Sequence, residues 1–178
     1  MKKKRIFIVI PISDDLKGTL VEHFEHHDLP GKPTPRENLH ITVHFLGETE
    51  EEYITGIKKQ ITQIATDTPV FSLEASDIIL QKGRVNRMVW LKLIPSDPFT
   101  QLVKRIRSSL DPETIEAGIA PHITLSRLKK AHIPTGKFPI TIEEHLIKVD
   151  RLELWESKIG GKNPLYKELQ KFHLKQDN

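Results

Sequence analysis

One strand–helix–strand unit occurs twice in this chain, and that duplication constrains the fold more than any other feature. Arg5 and Arg87 open apolar, β-branched runs 82 positions apart. Ser13 and Ser96 follow as helix N-caps. His40-Ile41-Thr42-Val43 and His122-Ile123-Thr124-Leu125 then close the two units, again 82 positions apart. A unit with one apolar face cannot bury it alone, so two copies pack together and complete a core. The expected fold is α+β and bilobal. Two pseudo-symmetric lobes with antiparallel sheets and outer helices would flank a central cleft, and each would bring one His-x-Thr motif to it. Residues 1–178 read as a single domain. Its lobes come mainly from about 4–80 and 85–174, with terminal strands exchanged between them.

Local patterning places the elements. Residues 5–11 form a continuous apolar strand that ends at Pro11. Asp14 and Asp15 favour the first helical turn after Ser13, and Leu16, Leu20, Val21 and Phe24 recur at helical spacing. Leu29-Pro30-Gly31 stops that helix. Residues 39–46 alternate, with Ile41, Val43 and Phe45 on one face and His40, Thr42 and His44 on the other. Thr49 and Glu52 read as a capping box ahead of Ile54, Ile57, Ile61 and Ile64. Strands are expected at 70–80 and 85–94, joined by a turn at Lys82-Gly83. A helix follows Ser96, with Phe99, Leu102, Val103 and Ile106 on its apolar stripe. Strands follow at 122–128, 140–157 and 165–174.

Composition narrows the chemistry. The 178 residues contain no cysteine, which excludes disulfides, thiolate metal sites and a Cys nucleophile. The formal charge of +3, from 27 Lys+Arg against 24 Asp+Glu, is too small for a surface that grips a long duplex. It suits a small or single-stranded anion held by a few placed cations. No stretch approaches the roughly 18 apolar residues that span a membrane. Ser13-Asp14-Asp15 interrupts the apolar run after the basic start, with no cleavage site. A cytoplasmic monomer is expected, with no membrane contact.

In a strand, residues i and i+2 share one face about 6.6 Å apart. His40 therefore projects with Thr42, and His122 with Thr124. Two imidazoles on one cavity can do concerted acid–base work, because both protonation states of histidine are accessible near neutrality. The hydroxyls can donate to non-bridging phosphate oxygens. That constellation suits phosphodiester chemistry with no metal and no cofactor.

These motifs resemble those of the two-histidine (2H) phosphoesterase superfamily, and specifically its bacterial RNA 2′,3′-cyclic phosphodiesterases, the LigT-type 2′-5′ RNA ligases. The resemblance runs over nearly the whole chain. It rests on Arg5-Ile6-Phe7, on Asn38-Leu39-His40 through Gly47-Glu48, on Val89-Trp90-Leu91, on Pro121-His122 through Ser126-Arg127, and on Leu154-Trp155-Glu156-Ser157 with Tyr166. It implies hydrolysis of a 2′,3′-cyclic phosphate to a 2′-phosphomonoester, with reversible 2′-5′ joining as a secondary activity. The partners implied are RNA ends or small nucleotides carrying that group. His40 would be the proton donor to the leaving oxygen, His122 the acceptor from water, and Arg127 a phosphate contact. Two alternatives remain open: a 2H enzyme acting on another cyclic or 2′-5′ phosphoester, and a non-catalytic RNA- or nucleotide-binding module.

The remaining candidates are placed by parity and position. His44 shares the face of His40 and is expected to line the cleft; with His173, it departs from the family pattern. Arg127 has the opposite parity to His122, so it would reach the phosphate around the strand end. Phe7 and Arg87 are further candidates for the substrate cleft, as is Arg84 for an RNA backbone. Trp90 and Trp155 read as core. His23, His26 and His27 read as a solvated helix face.

Overall fold

The structure is a computed structural model that describes residues 2–27, 29–82, 87–112, 120–128, 146–158 and 164–176. The turn expected after Lys82, Arg84 and the strand start at 140–145 lie outside those residues.

The duplicated units fold alike at their first corners. Strand β1 (Lys3–Pro11) ends at its proline, and helix α1 (Asp14–His26) begins under Ser13, whose Oγ accepts from Leu16 N at 3.2 Å. In the second unit, β5 (Arg87–Ile94) leads into α3 (Asp97–Leu110), where Ser96 Oγ accepts from Phe99 N at 3.4 Å. Each serine satisfies a donor that the first helical turn leaves orphaned. Between these two corners come a short β2 (Lys32–Pro33), β3 (His40–Glu50), α2 (Glu51–Thr66) and β4 (Phe71–Lys82). After α3 come β6 (His122–Leu128), β7 (Leu146–Val149), β8 (Arg151–Lys158) and β9 (Leu165–His173).

The capping box at Thr49 and Glu52 does not form. Thr49 stays in β3, paired with Lys4 of β1, and its hydroxyl donates to the Gly47 carbonyl at 3.3 Å. Pairing with β1 carries the strand on to Glu50, and α2 starts there without a side-chain cap.

The strands form one sheet in the order β7-β4-β5-β6-β3-β1-β8-β9, with β2 lying against β6. All these pairings are antiparallel. Chain order and sheet order differ: β4 pairs with β5 of the second unit, while β8 and β9 extend the sheet beyond β1. The two halves meet where β3 and β6 lie side by side, at the single pair Ile41–Ile123.

The faces of the sheet differ in what covers them. Ile6, Ile8 and Ile10 of β1 join Leu16 and Leu20 of α1, Ile54, Ile61 and Ile64 of α2, and Phe99, Leu102, Val103 and Ile106 of α3 in one core. Phe7 and Val9, one residue out of phase on β1, point the other way and form a second cluster with Trp155, against which Tyr166 packs. The helices thus cover one face, and the opposite face carries the motifs.

Candidate active site

The Ile41–Ile123 pair sets the geometry of the site. In that antiparallel register, His40 falls across from Thr124 and Thr42 across from His122, all four on the face away from the helices. The two histidines are diagonal neighbours, a pairing that standard sheet geometry spaces at about 7–8 Å, with the Cβ atoms somewhat closer. That span leaves room for one tetrahedral group between the rings. All four residues line a cavity of about 520 Å³.

Backbone carbonyls orient both imidazoles in the same way. His40 Nδ1 donates to Asn38 O at 2.6 Å, and His122 Nδ1 donates to Ala120 O at 2.9 Å. A carbonyl can only accept, so Nδ1 carries hydrogen and Nε2 is left to exchange protons in each ring. His40 Nε2 lies 3.1 Å from Thr42 Oγ1. Burial pushes the His40 imidazole down to about 4, against the opposing pull of its bond to Asn38, while nearby His122, Arg127 and Lys17 push it further. Burial also holds His122 below its usual value, opposed by the bond to Ala120.

The surroundings of the two rings differ. Around His40 stand Phe7, Trp155 and Tyr166, with centroids at 5.5, 5.1 and 5.7 Å and steeply inclined planes. Asn38 is buried, and its side chain donates to Pro164 O at 3.0 Å, which ties the first motif to the entry of β9. Trp155 is held in turn by Glu153, a buried carboxylate that accepts from Trp155 Nε1 at 2.8 Å and Arg151 Nε at 3.0 Å. Against His122 lies Trp90, stacked flat.

A β-bulge directly after each His-x-Thr overturns the parity expectations. β1 pairs Val9 with Thr42 but Ile8 with His44, so Val43 is an extra residue. β5 pairs Trp90 with Thr124 but Val89 with Ser126, so Leu125 is extra in the same way. A bulge turns everything beyond it to the opposite face. His44 is therefore not in the cleft; it is 4 % exposed and turned to the helix side, with Nε2 3.6 Å from Asp111 Oδ2. Burial lowers its pKa, opposed by Asp111. Phe45 takes the cleft position instead, 62 % exposed. In the second motif Ser126 is buried and its hydroxyl donates to the Pro30 carbonyl. Arg127 lines the cleft directly and has no strand end to go around.

Other candidates also move. Phe7 is 2 % exposed and supports His40 and Phe45 from behind, so it is not part of the cleft lining. Arg87 sits opposite Leu128 on β5 and does not line the cavity. Trp90, expected in the core, is a cleft residue. His23 is buried, with its ring 4.3 Å from that of His27, rather than on a solvated face. Residues 32–35 form one wall, because Thr34 N donates to Leu125 O at 2.8 Å and Lys32 pairs with Arg127. Sequence reasoning missed that wall, along with Phe45 and Asn38. The duplication held a signal for Phe45, since it aligns with Arg127. Among the described residues, no group of three or more His, Cys, Asp or Glu is disposed to hold a metal ion.

The chain has relatives among known proteins. The family model described as the 2′-5′ RNA ligase superfamily matches residues 12–159. The chain belongs to the 2′-5′ RNA ligase superfamily. An RNA 2′,3′-cyclic phosphodiesterase of Thermotoga maritima is 27 % identical over 173 residues, covering 93 % of this chain and 92 % of that one. One from Thermus thermophilus is 25 % identical over 182 residues, covering 96 % and 90 %. Among solved structures, Escherichia coli LigT complexed with NADP+ superposes with a TM-score of 0.81 at 24 % identity, covering 99 % of this chain and 100 % of that one. The Thermus thermophilus protein TT0787 superposes with a TM-score of 0.79 at 26 % identity, covering 98 % and 100 %. This superfamily member thus shares the α+β fold of LigT across its whole length. No helix among its described residues is long and apolar enough to cross a membrane.

Proposed function

We propose that this chain is a metal-independent phosphodiesterase that opens a 2′,3′-cyclic phosphate, at an RNA end or on a small nucleotide, to give a 2′-phosphomonoester. The observation that carries the proposal is the pair of imidazoles on one cavity, each with Nδ1 bonded to a carbonyl and Nε2 left for proton exchange. The named activities of the relatives support the choice of substrate.

In this reading His122 Nε2 takes a proton from water as the water oxygen bonds to phosphorus. The P–O3′ bond breaks, and His40 Nε2 gives its proton to O3′. The phosphate stays on O2′, and the ribose regains its 3′ hydroxyl. Thr42, Thr124 and Arg127 donate to the non-bridging oxygens as charge accumulates there. His40 is neutral in the empty cleft at pH 7, because its pKa lies at about 4. A bound phosphate anion favours the charged form and loads the acid. Both motifs come from one chain, so a single copy completes the site. The same groups in reverse can join a 2′,3′-cyclic end to a hydroxyl; water, in excess, makes hydrolysis the main direction.

Phosphorus NMR on a 2′,3′-cyclic nucleotide with EDTA present tests this. A 2′-phosphate product is expected, with each of His40→Ala and His122→Ala slowed by roughly 10²–10⁴-fold. Full turnover in either variant overturns the two-histidine mechanism. Loss of activity in EDTA overturns the metal-free one. A profile favouring 2′-5′ diesters over the cyclic phosphate would reassign the substrate.

A further inference from the structure

We infer that Trp90 is a positioning residue that stabilises the imidazolium form of His122 with the face of its indole ring. The inference rests on the acid–base reading above.

The two rings lie 3.7 Å apart between centroids at an interplanar angle of 18°, so the imidazole sits over the indole face. The face of an aromatic ring is its negative pole, and indole is the strongest neutral partner for a cation. His40 has no parallel stack of this kind: its aromatic neighbours are inclined at 52°, 60° and 81°. The pseudo-symmetric halves therefore differ in how aromatic rings meet the two histidines: flat against His122, inclined against His40.

Packing alone does not account for a tryptophan here. Its Nε1 is buried with no hydrogen-bond partner among the described residues. Burying an unsatisfied N–H costs free energy that a phenylalanine or leucine would avoid. The ring is also fixed in place, since the bulge at Leu125 pairs Trp90 with Thr124 and holds it beside the second motif.

The charges nearby sharpen the need. Lys92 of β5 is the register partner of His122, Arg127 follows on β6, and His40 faces it from β3. None of these offers a counter-charge to an imidazolium on His122. None of the described residues lining the cleft is a carboxylate. The Ala120 carbonyl and the indole face are thus what the described site offers to an imidazolium. When His122 takes the proton from water, the positive charge grows on the ring that Trp90 covers.

The test replaces Trp90 alone with 5,6,7-trifluorotryptophan, which keeps shape and burial while drawing density from the π face. The readout is the NMR titration of the His122 ring proton, with Trp90→Phe as a second variant. Fluorination is expected to lower the His122 pKa by about half a unit to one unit, and kcat/KM by roughly 3–10-fold, mostly in kcat. The His40 titration should not move. Trp90→Phe should give a shift of the same sign. A His122 titration that is unchanged or raised by fluorination overturns the inference, and so does an equal shift of both histidines. Because the titration needs no turnover, it separates the two claims: a shifted His122 in a protein that hydrolyses no cyclic phosphate would uphold the stacking effect and reject the proposed function.

Discussion

Phe45 and Arg127 hold equivalent positions in the two halves, each five residues after its motif histidine and each turned into the cleft by a bulge. One end of the cleft is therefore apolar and aromatic, and the other cationic. A phosphate bound between His40 and His122 would find its charge partner on one side and a stacking surface on the other.

That asymmetry predicts different kinetic signatures. Arg127→Met should lower kcat/KM by about 10²-fold or more, because a cation aimed at developing charge is lost. Phe45→Ala should act mainly on KM, by roughly 5–100-fold, the range for a lost base–aromatic stack. Steady-state kinetics on a cyclic mononucleotide separate the two; equal effects of both variants on kcat would contradict the assignment.

The pH dependence follows from burial of the two imidazoles. The His40 pKa is about 4 and that of His122 lies below 6.5. The kcat/KM profile reports the free enzyme, so its bell should peak on the acid side of pH 6.5. The kcat profile should lie at higher pH, since bound phosphate favours the imidazolium. A kcat/KM optimum above pH 7 would count against this site.

Stability should depend on the same groups. Both imidazoles are lowered in the folded state, so between about pH 4 and 6.5 the unfolded chain binds more protons. Their contribution is complete above pH 6.5 and is lost as the pH falls toward 4. Urea unfolding at a series of pH values should show that decline, flattened in His40→Gln.

Two glycines should respond differently to a methyl group. Gly31 has φ +97°, and a Cβ there would lie 2.8 Å from the Arg127 carbonyl oxygen; Gly47 has φ +72° and open space. Gly47→Ala should cost about 1–2 kcal/mol, the left-handed penalty alone. Gly31→Ala should cost more and should also lower kcat/KM, because the close approach of residues 31–34 to β6 shapes the wall beside Arg127. Urea midpoints and kinetics on both variants check this. Equal losses would mean that the approach to Arg127 is slack.

Glu153 should matter without touching substrate. Glu153→Leu leaves Trp155 Nε1 unsatisfied and buried, at about 1–3 kcal/mol, and frees the ring that packs 5.1 Å from His40. Glu153→Gln, which keeps an acceptor, should recover most of the stability and activity. Leucine and glutamine variants of equal activity would show that His40 is held without this anchor.

What the amino-acid sequence determined by itself is the local pattern and its repetition. Period-two alternation, serine caps and helical stripes each depend on neighbours a few residues away. The main strands and helices between Arg5 and Leu46 and between Arg87 and Leu128 follow from them, though β2 does not. Duplication of His-x-Thr picked out His40, Thr42, His122 and Thr124, because pairing two copies needs only that each strand keep its parity for two residues.

Tertiary structure decided which way the side chains just past Val43 and Leu125 face. A bulge arises when one strand carries one more residue than its partner over the same stretch, and the partners here, β1 and β5, lie 30 or more residues away in sequence. No local pattern announces that mismatch. It buried His44, exposed Phe45 and brought Arg127 onto the face of the site. The same long-range pairing laid Trp90 flat on His122. Which residues could act was legible in the chain, but which of them face the cleft was set by strand register across the sheet.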